Sequence, residues 1–256
     1  MNDTQHIYSD KFFDYISEGS RISANTVSKI IAPIFEENAG DILDVGCGHG
    51  VWTREFGKIS GVRQATGIDG TYINVENLVI SAADFVGHDL TTPLDLGRRF
   101  TVSVSLEVGE HLPKCAAPIL VDTLVKHADI VLFSAAIPGQ GGESHINEQP
   151  LEYWRALFAK HNYLPLDVIR PLLDGNLAVE PWYRYNTMLY VAKDTLANIP
   201  DALSGTPVPE GQKFRSYASL VWKLRCAVLG RLPRGIIEIL AQVKHGWTRR
   251  IRRASS

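Results

Sequence analysis

The chain has 256 residues, 45% of them hydrophobic, and a formal net charge of −2. That length suits one large α/β domain or a domain with an appendage, and three scattered cysteines, Cys47, Cys115 and Cys226, exclude a disulfide framework or a Cys-rich zinc site. No basic head with an apolar run opens the sequence, and no apolar run approaches the roughly 18–20 residues of a spanning helix, so the expected setting is cytoplasmic and reducing. The charge is unevenly spread: residues 211–256 hold 11 Lys and Arg against the single acid Glu238, whereas residues 1–210 hold 15 basic and 27 acidic residues. A basic tail on an acidic body points to an anionic partner, lipid headgroups or nucleic acid.

In chain order, residues 1–40 read as a helical lead-in, with Phe12, Phe13, Ile16, Val27, Ile30, Ile31 and Ile34 at helical spacing and Pro33 as a breaker. Strands and helices then alternate. Strands are expected at 42–45, 64–69, 83–89, 100–106, 129–134, 166–170 and 187–191. Helices are expected at 51–59, 72–80, 116–127 and 151–161. The alternation predicts a doubly wound, mostly parallel sheet with helices on both faces, spanning residues 41–195. Residues 196–213, with Pro200, Pro207 and Pro209, read as a linker. Residues 214–256 read as a basic amphipathic helical tail. One apolar face there joins Leu220, Val221, Leu224, Val228 and Leu229; a second joins Ile236, Leu240, Val243, Trp247 and Ile251.

The first strand runs into Asp44-Val-Gly46-Cys-Gly48-His-Gly50, a glycine turn that continues as a helix. Glycines let the chain turn sharply and let a ligand approach backbone N–H groups. Val51 stands where a dinucleotide fingerprint needs its third glycine, which argues against NAD. Asp69 ends the second strand, where a carboxylate can accept two hydrogen bonds from a ribose diol. Asp89 ends the third, where a carboxylate can face an adenine amino group.

Together with Gly67-Ile-Asp69-Gly70, His88-Asp89-Leu90 and Ser105-Leu-Glu-Val-Gly-Glu-His-Leu-Pro113, this turn resembles class I S-adenosylmethionine-dependent methyltransferases over about residues 35–195. The resemblance implies a Rossmann-like, seven-stranded sheet whose last strand is antiparallel, with the basic helical tail as an appendage. It also implies that the loop of Asp44, Gly46, Gly48 and Gly50 holds the methionine part of the cofactor. Asp69 would then hold the ribose, and Asp89 with Leu90 the adenine. Thr101 departs from the Asp that many relatives carry after the Phe, at the strand start and far from the ligand edge.

A second constellation follows the fourth strand. Glu107, Glu110 and His111 stand at i, i+3 and i+4, and one helical turn would put them on a single face. His145, just past the fifth strand, can close the set. Two carboxylates and two imidazoles suit Mg²⁺, Mn²⁺, Fe²⁺ or Zn²⁺, with Mg²⁺ or Mn²⁺ expected. Such an ion would acidify and align an acceptor hydroxyl. The arrangement resembles the metal site of small-RNA 3′-end 2′-O-methyltransferases, and its Glu-x-x-Glu-His turn that of ubiquinone-pathway O-methyltransferases. Without a metal, His145 or His111 would serve as general base.

For the acceptor, Asn147, Glu148, Trp182, Tyr183 and Asn186 supply polar groups beside aromatic faces, a pairing that suits a sugar ring. The Pro-Gly loop, His-x-Asn-Glu-Gln and Trp-Tyr-x-x-Asn together resemble methyltransferases of bacterial glycan and cell-surface polysaccharide pathways. The expected reaction is therefore metal-assisted O-methylation of a sugar hydroxyl. The alternatives are a ribose 2′-O-methyltransferase acting on RNA 3′ ends and a metal-free small-molecule enzyme. The tail's apolar stripe with cations on its remaining arc suits an anionic membrane surface at the inner face. An acidic body without an RNA-binding module disfavours nucleic acid.

Overall fold

The computed structural model describes residues 10–233, 235–237 and 239, with side chains from residue 19 onward. Helix α1 (Asp10–Ile31) leads by a 3₁₀ turn into β1 (Gly40–Val45), α2 (Val51–Phe56) and β2 (Val62–Asp69). Then come β3 (Phe85–Gly87), β4 (Val102–Leu106), α3 (Ala117–His127), β5 (Ile130–Ser134), α4 (Leu151–Ala159), β6 (Tyr163–Leu166), α5 (Ile169–Leu173), α6 (Pro181–Asn186), β7 (Met188–Ala192) and α7 (Leu220–Leu229). The seven strands form one sheet in the order β3-β2-β1-β4-β5-β7-β6. Only β7 runs antiparallel to its neighbours, as the resemblance implied.

Period-2 alternation divides the core between the two faces. Val102, Val104 and Leu106 of β4, with Ile130 and Leu132 of β5, pack beneath α1, α2, α5 and α6. Val131 and Phe133, one residue out of phase, pack with Leu120, Leu124, Trp154 and Phe158 of α3 and α4 on the other face. Ala24, Val27 and Ile31 make α1 part of the first core, so the lead-in covers the sheet.

Three expectations are corrected. Residues 72–80 hold no α-helix: Asn74 caps a single 3₁₀ turn (Val75–Asn77) by accepting a hydrogen bond from the Glu76 N–H, and such local bonding competes with helix. The sixth strand precedes its expected place and includes Pro165, which sits on the sheet edge, where a missing N–H costs little. Of the residues given to that strand, Leu166 ends it and Ile169 and Arg170 begin α5. Trp182 to Asn186 form a helix, with Pro181 at its first position. Finally, residues 196–213 are no free linker: Ile199 and Leu203 enter the first core, and Arg155 donates to the carbonyls of Pro209 and Gln212. The tail stripe from Leu240 onward lies outside the described residues. Among the described residues no helix is long and apolar enough to cross a membrane.

Candidate active site

Parallel strands end together at one edge of the sheet, and both sequence constellations lie there. After β1 the chain adopts left-handed backbone at Gly46 (φ 87°), Gly48 (φ 55°) and Gly50 (φ 84°). A side chain at Gly46 would also collide with Val108, so glycine is required there on both counts.

Asp69 anchors this turn. Its Oδ2 accepts from the Gly48 N–H at 2.7 Å; its Oδ1 accepts from the Gly70 N–H at 2.7 Å and the Tyr72 hydroxyl at 2.6 Å. A carboxylate has about four acceptor positions, so these bonds leave room for one ribose hydroxyl, where the sequence suggested two. Asp44 accepts from the Thr53 hydroxyl at 2.7 Å. Burial raises its pKa to about 7, and burial likewise raises that of Asp69 despite its three donors. Among the described residues no Lys or Arg pairs with either acid. Two buried carboxylates with no Lys or Arg partner among the described residues fit a ligand that carries an ammonium and a sulfonium. Asp89 is exposed and folds back on its own turn, its Oδ1 accepting from the backbone and hydroxyl of Thr91 at 2.9 and 2.8 Å. Leu90 beside it is half-buried.

The metal-type residues do not share a helical face. β4 ends at Leu106, and Glu107 after it takes left-handed backbone (φ 56°), an unusual conformation for a residue with a side chain. The next four residues form a turn closed by the His111 N–H on the Val108 carbonyl at 3.0 Å. The carbonyl of Glu110 accepts from the N–H groups of Ile146 and Asn147 at 2.9 and 3.0 Å. These bonds, with the Asn147 side-chain amide on the Gly109 carbonyl at 3.0 Å, draw the loop after β5 against the turn. Ligand atoms of Glu110, His111 and His145 consequently lie within 4.8 Å of one another. The two imidazoles meet edge to face, with centroids 4.9 Å apart.

Glu110 is completely buried, and neither of its carboxylate oxygens has a hydrogen-bond partner. Burial, then the neighbouring charge of Glu107, raises its pKa well above the usual carboxylate range. Burial raises Glu107 as well. Glu107 stands outside the three-residue group: its Oε2 accepts from the Gln140 amide at 2.7 Å, while its Oε1 is buried without a partner.

Of the residues expected at the acceptor, most are engaged by the protein. Glu148 accepts from the N–H groups of Gly139 and Gly141 at 2.7 and 2.6 Å and pairs with His145 Nδ1 at 2.9 Å. Burial pushes the Glu148 carboxyl up, but these bonds outweigh it and hold it below the usual range. Asn147 is buried and bonded to Gly109 and Gln149. Trp182 packs against the first core, and the Tyr183 hydroxyl meets Trp52 and Ser20 at 3.3 and 3.4 Å. Asn186 stays near the site: its amide donates to the Gln140 side-chain oxygen at 2.8 Å, and its own oxygen is buried without a donor.

Gln140 is the residue that sequence reasoning missed. It joins Glu107 to Asn186, and its carbonyl accepts from Arg225 of α7 at 2.6 Å. The available hint was a single amide amid the glycines of residues 138–142.

The family model for the methyltransferase domain matches residues 20–170, from α1 into α5, and the chain belongs to that family. The glycine turn and the buried carboxylates Asp44 and Asp69 at the strand ends lie within that domain. The sugar N-methyltransferase KedS8 from a Streptoalloteichus species superposes with a TM-score of 0.52 at 14% identity, over 75% of this chain and 98% of that one. DesVI of Streptomyces venezuelae gives 0.42 at 20% identity over 56% and 62%, and the glycopeptide N-methyltransferase MtfA 0.36 at 17% over 45% and 55%. The chain thus spans less than two thirds of DesVI and of MtfA. No curated protein matches it.

Proposed function

We propose that this enzyme methylates a hydroxyl of a sugar, within a surface glycan or its precursor, with Glu110, His111 and His145 holding a divalent cation. The observation that carries the reading is Glu110: a fully buried carboxylate with both oxygens unpartnered, set against two imidazoles. A charge so placed is costly unless paired, and a cation bound there would satisfy it. Oxygen and imidazole donors suit Mg²⁺ or Mn²⁺. When bound, such an ion lowers the pKa of an alcohol and fixes its direction. The chain's own residues supply the rest. Glu148 holds His145 by Nδ1, which leaves Nε2 as the ring nitrogen outside that bond. Glu107 and Asn186 offer buried acceptor oxygens to further hydroxyls, as a polyhydroxylated ring provides. A sugar N-methyltransferase among the structural neighbours is consistent with a carbohydrate acceptor.

The test is isothermal titration of metal-stripped protein with Mn²⁺ and Mg²⁺. One binding site, lost in Glu110→Gln and in His145→Ala with donor binding intact, supports the metal reading. Full turnover of a sugar acceptor in chelator, lost in His145→Ala, would replace it with His145 as a metal-free general base.

A further inference from the structure

Helix α7 presents its apolar stripe outward. Leu220, Val221, Leu224 and Val228 are 83%, 79%, 67% and 52% exposed, and Ile236 and Ile239 beyond the following turn are 45% and 61% exposed. The first four fall on one helical face by their spacing. The inward side is occupied by other residues. The Trp222 ring lies 5.7 Å from that of Tyr185, and Arg225 donates to the Gln140 carbonyl. The Cys226 carbonyl lies so close to Gly139 that no side chain fits there. Leu229 and Ile237 turn in beside Gly141, but Leu220, Val221, Leu224 and Val228 are left uncovered, so α7 does more than cap the fold.

The surroundings decide what covers that face. Lys223 on α7 and Arg231 just after it are exposed, as are Lys213 and Arg215 in the segment leading into it, within a stretch of 11 cations and one acid. A second copy would set two cationic faces together, which is repulsive. Nucleic acid would want exposed aromatic rings for stacking, and the face is aliphatic. Aliphatic residues flanked by Lys and Arg match the boundary between acyl chains and anionic headgroups. The acidic body does not share this attraction, so only this edge of the molecule is drawn to such a surface.

We propose that the outer face of α7 and the turn after it dock on an anionic lipid bilayer. The inner face of α7 holds the loop that carries Gln140, so a docked molecule has its acceptor loop behind the helix that touches lipid. Resting on the sugar reading above, this makes the acceptor a lipid-borne carbohydrate.

The experiment is sedimentation of the full chain with phosphatidylcholine vesicles, with or without phosphatidylglycerol at about a quarter of the lipid. The chain pellets with anionic vesicles and not with neutral ones, and about 0.5 M salt reduces the bound fraction severalfold. Leu220→Glu with Leu224→Glu removes about tenfold or more of the binding, since each leucine loses its burial in the acyl region. Donor affinity by calorimetry is unchanged in this variant, which shows that it is folded. Equal pelleting with neutral vesicles, or none with anionic ones, overturns the proposal. A solution dimer dissociated by the same variant, without vesicle binding, also overturns it in favour of a second copy. Methylation of soluble sugars alone by a chain that does pellet overturns the lipid-borne acceptor and leaves the docking surface standing.

Discussion

Glu110→Met is the most discriminating substitution. In metal-free protein the wild-type carboxylate is buried and unpartnered, and methionine removes that charge at similar volume. An unsatisfied buried polar group costs about 1–3 kcal/mol, and a charged one more. The variant should therefore be more stable than wild type in chelator at pH 8, by at least about 1 kcal/mol, or about 2–4 °C in melting temperature per kcal/mol for a domain of this size. The direction with pH follows from the raised pKa of Glu110. The folded state binds its proton more tightly than the unfolded chain, so wild type loses stability as pH rises from the unfolded value through the folded one. The advantage of methionine shrinks on acidification. Saturating Mn²⁺ should reverse the order, because ligand at about 100 times its Kd adds about 2.7 kcal/mol to wild type and nothing to the variant. The assay is thermal unfolding at pH 5 and pH 8, in chelator and in Mn²⁺. A variant less stable than wild type in chelator at pH 8 would refute the reasoning, since Glu110 would then have a stabilising partner within the protein.

Three further outcomes are expected. Glu148→Gln frees His145 from its orienting carboxylate and should weaken Mn²⁺ binding by about 10–100-fold with donor affinity unchanged, as read by calorimetry. Asp69→Asn disturbs three hydrogen bonds that fix the glycine turn, and bonds to charged groups contribute about 1.5–3 kcal/mol each. Donor affinity should fall by at least about tenfold while Mn²⁺ affinity stays; equal loss of both would mean general unfolding. Gly46→Ala meets both positive φ and Val108 and should cost more than about 1 kcal/mol in chemical denaturation. Val108→Ala in the same chain should recover part of that loss, and strict additivity of the two would contradict the collision.

Much of the scaffold was legible because it is local. Alternating apolar residues in β4 and β5 and alternate glycines after β1 are conformational statements about neighbouring residues, and they need no distant partner. The family resemblance rests on the same short segments, and the sheet has the seven strands and the antiparallel last one that it implied. Local patterns failed where one residue admits two readings. Pro165 fits a strand at the sheet edge, and the edge is not visible in the sequence. Residues 72–80 look helical until Asn74 bonds to its own turn.

By itself the sequence determined the fold class, the glycine turn after the first strand and the short roster of acids and imidazoles from which a site can be built. Tertiary structure decided which of them meet. Glu110 joins His145 because its carbonyl accepts two N–H groups from a loop 36 residues onward, a bond pattern that carries no mark in residue type. Asn147, Glu148 and Tyr183 also find partners for their polar atoms within the protein, which residue type alone does not show. Whether α7 turned its leucines in or out was likewise beyond periodicity, which shows that a helix has an apolar face and not what that face meets.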